Sequence, residues 1–183
     1  KIFKNIYNKG ISGALNTGIY FSRNNIIARI DCGDICLVKN RFSRIIKIFK
    51  KNKNIELVCS GLIDENKKII RPKLFSLENT LTPFSRVPHP TWVLKKDSIK
   101  TYYNSKYIRF EDYAFLVDNK FNIFIFDGID IKYDTKERLK RFPEMRVCIS
   151  KSLFFIKNTK NKYIAFFIGL TYIFLRITRL LIS

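Results

Sequence analysis

Apolar residues return at spacings of three and four along residues 11–22, where Ala14, Leu15, Ile19 and Tyr20 fall together, and along residues 40–51, where Phe42, Ile45, Ile46 and Phe49 do. Both patterns predict amphipathic helices, the second with Arg41, Arg44, Lys47, Lys50 and Lys51 turned outward. Gly13 and Gly18 in the first permit close packing on a sheet. Short apolar, β-branched runs at residues 26–30 and 55–60 predict buried strands. The first is closed by the polar turn Asp31-Cys32-Gly33-Asp34, and a second polar turn, Asp64-Glu65-Asn66-Lys67, follows the other. Residues 71–90, with Pro72, Pro83, Pro88 and Pro90, show no period and read as loop. A strand returns at 92–94, then a helix at 111–119 and a strand at 122–126. Helices alternating with apolar strands predict an α/β domain around a mostly parallel sheet.

Composition narrows the class. Of 183 residues, 46% are hydrophobic and 15% aromatic, which is enough for a core and excludes a disordered polycation. The net charge of +20 and a pI near 10.0 call for an anionic partner: a phosphate-bearing ligand, an acidic lipid or a nucleic acid. A basic nucleic-acid-binding module is the rival class, but no groove-reading or single-strand-binding motif is present, so nucleic acid is not an expected partner. Cys32, Cys36, Cys59 and Cys148 contain no Cys-x-x-Cys pair, and the sole histidine, His89, stands far from them in sequence. Such spacing does not make a structural zinc site, and the cysteines read as small buried hydrophobes of a protein in the reducing cytoplasm. The chain opens Lys1-Ile2-Phe3-Lys4-Asn5, without Met or a signal-peptide pattern, and is expected to be a piece of something longer.

Three constellations carry chemistry. Arg29-Ile30-Asp31-Cys32-Gly33-Asp34 sets two carboxylates just past the carboxyl end of a strand, where open α/β sheets bind ligands. Carboxylates there can hold a hard divalent cation bridging to a substrate diphosphate, or simply cap a turn. Glu111-Asp112 opens an apolar helical segment; an acidic pair at a helix N-terminus either caps the helix or supplies a general base. Val87-Pro88-His89-Pro90-Thr91-Trp92 places a histidine on a stiff loop beside an aromatic that could stack on a sugar or fill the core.

In their order these features resemble the inverting glycosyltransferases of family 2, which have the GT-A fold. Those proteins show a helix reading like Gly-Leu-Ser-x-Ala-Leu-Asn-x-Gly-Ile, then Arg-x-Asp-x-Asp-Asp-Ile, then a Pro-x-Arg-Phe helix start. Here stand Gly10-Ile11-Ser12-Gly13-Ala14-Leu15-Asn16-Thr17-Gly18-Ile19, then Arg29-Ile30-Asp31-Cys32-Gly33-Asp34-Ile35, then Arg41-Phe42. Downstream, the family's His-Pro-Ser/Thr matches His89-Pro90-Thr91, and its Tyr ahead of Glu-Asp matches Tyr103 ahead of Glu111-Asp112. The resemblance, over residues 8–130, implies an incomplete GT-A-type, Rossmann-like, mostly parallel sheet flanked by helices. It implies a nucleotide-sugar donor contacted by Arg29, Asp31, Asp34 and Asn16, with His89 and Trp92 near the donor sugar or the acceptor. It also implies Asp112 as catalytic base with Glu111 beside it, inversion at the sugar, and a divalent cation, Mg²⁺ or Mn²⁺, on Asp34 and Asp31. Gly33 stands where the family has a metal-binding aspartate, Asp118 where an arginine is frequent, and the strands that build the nucleotide-base pocket have no counterpart. The chain alone is therefore expected to be inactive. By analogy with the family, the acceptor is a growing, lipid-linked bacterial surface polysaccharide such as capsule or lipopolysaccharide. The alternative is a catalytically inactive remnant acting as a membrane-associated binding domain.

Composition shifts near Lys151, dividing the chain into a glycosyltransferase-like domain over 1–150 and a helical tail over 151–183. Within the tail, the uncharged run at 163–175 is shorter than the ~20 residues of a spanning helix. As a helix it gathers Ala165, Gly169, Tyr172, Arg176, Arg179 and Ser183 on one stripe, the rest being Phe, Ile and Leu, with Lys157, Lys160 and Lys162 ahead of it. That pattern predicts a C-terminal apolar and basic helix lying in an anionic membrane surface, the protein being cytoplasmic and peripheral on the inner face. A helix docked on the domain and a true span are the other two possibilities.

Overall fold

The computed structural model describes residues 10–134 and 144–182, together with Lys4 and Ile6. In chain order the elements are α1 (Ile11–Phe21), β1 (Ile26–Ala28), β2 (Ile35–Cys36), α2 (Arg41–Lys51), β3 (Leu57–Asp64), β4 (Ile69–Ile70), β5 (Ser76–Leu77) and β6 (Thr80–Leu81). There follow β7 (Val93–Lys95), α3 (Glu111–Asn119), β8 (Ile123–Tyr133), α4 (Glu144–Asn158) and α5 (Lys162–Ile182). A six-stranded sheet runs β1-β7-β3-β8-β2, with β4 paired to β3.

The strand β3 is the axis of the core. Its side chains alternate between the two faces of the sheet. Leu57 and Cys59 pack with Ile19 of α1 and with Phe115 and Leu116 of α3. Val58, on the other face, packs with Ile45 and Phe49 of α2 and with Val93 of β7. Helices thus cover both faces, and the period in α2 that marked Ile45 and Phe49 as inward is what seats it; Phe42 and Ile46 stay exposed.

The architecture is α/β with a mixed sheet, and parallel pairing is narrower than expected. The central ladder β3/β8 is parallel and the longest; β1/β7, β3/β7, β3/β4 and β2/β8 are antiparallel. The reason is the connection after β3. It turns through Asp64–Lys67 into β4 and returns along the proline-rich segment to β7 without a crossover helix, and only helical crossovers readily bring strands back parallel. Strand β1 is also not buried as expected: it pairs only with β7 among the described residues, and Ile26 is exposed. Cys59 and Cys148 are buried as expected, whereas Cys32 and Cys36, at the open side of the sheet, are exposed.

The helical hairpin α4/α5 was only half foreseen, and the border at residue 150/151 falls inside α4. The hairpin docks through Phe154, Phe155 and Ala165 onto Phe110, Tyr113, Ala114 and Val117 of α3 and its approach. Polar clasps fix its turn. Strands β5 and β6 form a tight hairpin whose two turn residues, Glu78 and Asn79, have φ of 50° and 63°, the both-positive geometry of a primed turn. The Glu78 carboxylate accepts from the backbone amides of Lys160 and Asn161 at 2.9 and 3.1 Å, at the start of α5. The ammonium of Lys162 closes the end of α4, donating to the carbonyls of Ile156, Lys157 and Thr159 at 2.9, 2.9 and 2.5 Å.

The stripe read from the tail faces the other way. Ala165, Gly169 and Tyr172 are buried against the body of the protein, because small residues let α4 and α5 approach closely. A Cβ on Gly169 would meet the Ser152 Cβ at 3.3 Å. The apolar residues opposite, Tyr163, Phe166, Phe167, Leu170 and Phe174, are the ones left exposed. The Arg179 side chain and Ser183 lie outside the described residues. No helix among the described residues is long and apolar enough to cross a membrane.

Candidate functional site

Beyond the end of β1 the chain continues extended through Arg29 and turns at Asp31, where the Asp34 amide donates to the Asp31 carbonyl at 3.1 Å. The turn parts the two aspartates. Asp31 faces a groove and accepts two hydrogen bonds from Arg29, at 2.7 and 2.6 Å. Asp34 turns to the end of β8, where its Oδ1 accepts from the Asp134 amide at 3.1 Å and its Oδ2 is buried without a partner. Burial holds the Asp34 carboxyl above its ordinary range. Gly33 is dictated by this turn: its φ is +88°, and a Cβ would lie 2.3 Å from the Asp134 Oδ2. The aspartate that the resemblance leads one to expect there does not fit. Nor do Asp31 and Asp34 form a pair of free ligands, since Arg29 occupies both oxygens of one and the other points away. Among the described residues no cluster of three His, Cys, Asp or Glu could hold a metal ion.

The loop carrying His89 is rigid for a visible reason. Thr91, fully buried, donates to the Pro88 carbonyl at 2.7 Å and accepts from the Ser60 amide at 3.1 Å. Its carbonyl accepts from Arg41 at 2.7 Å, and Arg41 is itself buried and ion-paired to Asp130 of β8 at 3.4 Å. Burial pulls the Arg41 guanidinium below its ordinary range, and Asp130 opposes that shift. His89 is thereby held against Arg29. Nη1 of Arg29 reaches both ring nitrogens, lying 2.7 Å from Nε2, and the Tyr103 hydroxyl lies 2.8 Å from the same Nε2. Burial, with the guanidinium adjacent, keeps the imidazole neutral, well below its ordinary pKa.

Two expected site residues stand behind this wall and not in the groove. Trp92 is 2% exposed; its ring packs beneath His89, with centroids 4.2 Å apart. Asn16 commits its side chain to the Tyr103 backbone, donating to the carbonyl at 2.8 Å and accepting from the amide at 2.9 Å. Tyr103 in turn stacks flat on Phe115 at 4.0 Å, so Asn16 and Trp92 position the wall that Arg29 and His89 present.

The third constellation arrives at the N-terminus of α3. Arg109, with φ of 68°, bends the chain into the helix, a conformation a non-glycine residue adopts at a cost. Glu111 and Asp112 then occupy the first turn, where the helix dipole favours negative charge. Asp112 is half-buried, lines the groove and accepts from the Tyr113 amide at 2.7 Å. Glu111 is buried, with Oε2 lacking a partner; burial raises its pKa and the neighbouring Asp112 adds to that.

The groove these walls enclose measures about 1340 Å³. It brings together Arg29, Asp31, His89, Glu111 and Asp112, and leaves out Asn16, Asp34 and Trp92. It also holds residues that the sequence did not assign to a site: Arg109, Lys73 and Arg86 from the loops, Lys151 from α4, and Tyr172 and Arg176 from α5, the last two read there as part of a membrane-facing stripe. Counted together, Arg29, Lys68, Lys73, Arg86, Arg109, Lys151 and Arg176 face three carboxylates, Asp31, Glu111 and Asp112. Such a groove suits an extended anionic ligand, with a carboxylate at mid-length able to take a proton.

Comparison with known proteins bears on this geometry. No family model matches the chain. Over 147 residues, 74% of the chain, it is 30% identical to an uncharacterized glycosyltransferase of Methanocaldococcus jannaschii, of which it covers 50%. Its fold is that of the crystal structure of residues 1–349 of S. aureus TarS, with a TM-score of 0.57 and 14% identity over 86% of this chain and 49% of the other. The chain thus spans about half the length of the proteins it matches.

Proposed function

We propose that the chain is part of an inverting, nucleotide-sugar-dependent glycosyltransferase of the GT-A type, resembling family 2. The observation that carries this reading is the convergence of Arg29-Asp31, His89 and Glu111-Asp112 in one groove from three distant segments, in a chain 30% identical to a protein named a glycosyltransferase.

The groove's own residues supply the chemistry. The donor diphosphate lies along the cationic wall that includes Arg29, whose guanidinium is aimed by Asp31 and by the neutral His89. Asp112 takes the proton of the acceptor hydroxyl as its oxygen attacks the anomeric carbon. The bond from that carbon to the diphosphate breaks on the opposite face, and the nucleoside diphosphate leaves with the electron pair. Attack opposite the leaving group inverts the anomeric centre. Glu111 stands beside Asp112 in the first turn of α3, and burial raises its own pKa. No step runs through a divalent cation, because Arg29 would first have to release Asp31.

The acceptor in this reading is a growing, lipid-linked oligosaccharide, met at the inner face of a membrane. The exposed apolar ridge of α5 supports it, with Tyr163 84%, Phe167 67% and Phe174 65% exposed and with Lys157, Lys160 and Lys162 exposed at the hairpin's turn. Apolar area and basic charge are the two contributions that hold a helix in an anionic interface.

The test of the catalytic assignment is Asp112→Asn in the native-length protein. Sugar transfer should fall by about 10²–10⁴-fold with donor affinity largely kept. Near-normal turnover would move the base elsewhere.

A further inference from the structure

Lys151 is set in the middle of α4, beneath the groove and not on the solvent face of its helix. Its Nζ lies 4.3 Å from the centroid of the Tyr113 ring and 5.6 Å from that of Tyr172. Among the described residues it has no ion-pair or hydrogen-bond partner. Lys151 is half-buried, and an ammonium set between aromatic faces gains some cation–π attraction but still lacks an acceptor for its N–H groups. Burial pulls this group down to about 8, Asp112 partly opposing that shift and Arg176 adding to it. The strongest pull toward the charged state thus comes from Asp112, the proposed base.

One helical turn beyond Tyr172, Arg176 holds its guanidinium 5.7 Å from the same ring and lines the same groove. The lip around these two cations is apolar. Phe84 packs edge-on against Tyr172 at 5.2 Å, and Leu175 lines the groove while remaining exposed on the outer surface of α5. This end of the groove therefore sets the Lys151 ammonium, without an ion-pair partner among the described residues, in an aromatic cup beside Arg176, with an apolar lip. The Arg29 end offers the reverse, a cation already matched by Asp31.

We propose that Lys151 and Arg176 form a subsite for a phosphate group on the acceptor, with the acceptor's hydroxyl-bearing sugar reaching back to Asp112. The subsite rests on the glycosyl-transfer reading for what the phosphate is attached to, but not for its existence. Two acceptors share this chemistry: a glycan joined through phosphate to a lipid, and a soluble glycan bearing phosphate. The apolar lip favours the first.

Equilibrium binding of farnesyl phosphate and of inorganic phosphate to the native-length protein tests the subsite. Farnesyl phosphate should bind, and Lys151→Met should weaken it by roughly ten- to a hundredfold, the scale of one lost charge-assisted contact. Arg176→Gln, a change at an exposed position, should weaken it less. Lys151→Arg should bind within a few-fold of the parent and should lack the parent's loss of affinity above about pH 8, where Lys151 sheds its proton with Asp112, Arg176, Cys148, Tyr113 and Tyr172 facing it. A nucleoside diphosphate should bind Lys151→Met as well as the parent, which separates this subsite from the donor's. Tighter binding of farnesyl phosphate than of inorganic phosphate supports the lipid-linked source; equal binding supports the soluble one. Unchanged affinity for both probes in folded Lys151→Met and in Arg176→Gln overturns the subsite. If instead Asp112→Asn keeps its turnover while Lys151→Met loses phosphate, the catalytic assignment fails and the subsite stands.

Discussion

The groove has two cationic walls that differ in how their charges are held. On one, Arg29 is gripped by Asp31 through two bonds and laid against His89. The loop beneath is tied through Thr91 to Arg41 and Asp130. On the other, Lys151 faces two aromatic rings and lacks a hydrogen-bonded or ion-paired partner among the described residues. The first wall is complete in the folded protein and meets a ligand with its geometry already set. The second leaves a charge unanswered, which costs stability until an anion arrives. A site that must hold a diphosphate while it departs benefits from the first arrangement. A site that must admit and release a changing acceptor benefits from the second.

Substitutions on the two walls should consequently act with opposite sign. Asp130→Ala strips the buried Arg41 of its partner, and loss of one member of a buried pair costs on the order of 3–5 kcal/mol. Denaturant unfolding should show that loss, and the His89 loop should become susceptible to proteolysis. Parental stability in this variant would mean that the first wall does not depend on the Arg41–Asp130 pair. Lys151→Met, which exchanges a half-buried cation for an apolar chain of similar length, should leave stability unchanged or raise it by about 1 kcal/mol. A clear loss there would show that Lys151 already has its anion within the protein.

The outer face of the second wall gives a third contrast. Phe167→Glu with Phe174→Glu places two charges on the exposed ridge without touching the face that meets α4. Binding to anionic vesicles should fall by about tenfold or more, since each apolar side chain buried in the interface contributes roughly 1.5–3 kcal/mol, while the unfolding midpoint stays put. Unaltered sedimentation with vesicles would remove α5 from the membrane reading.

What was legible in the chain follows from these same physical differences. The helix at 111–119 was found at its true bounds, because an acidic pair followed by inward Tyr113, Ala114, Leu116 and Val117 is a local signal. Arg29, Asp31, His89, Glu111 and Asp112 were named from order and spacing, and the fold brings them into one groove. Asn16 and Trp92 were expected at the ligand and stand one layer behind it: a motif shows that a residue matters, but not which side of the wall it faces. Gly33 looked like a lost ligand, and the approach of Asp134, 101 residues away in sequence, was invisible in the turn itself. Which face of the tail packs inward was the least legible. Its small-residue stripe is as compatible with a helix–helix seam as with a polar face, and only the partner α4 decides between them. Lys151 was lost with it, since a lysine on a helix ordinarily reads as solvated.

The proposed chemistry of this groove is transfer of a sugar with inversion. It is tested most directly by following the reaction of the native-length protein with a nucleotide sugar and its acceptor by proton NMR. The account predicts release of one nucleoside diphosphate per bond made, and an anomeric proton in the first-formed product whose coupling marks the configuration opposite to the donor's. A product that retains the donor's configuration, or donor consumption without any new glycosidic bond, would contradict it.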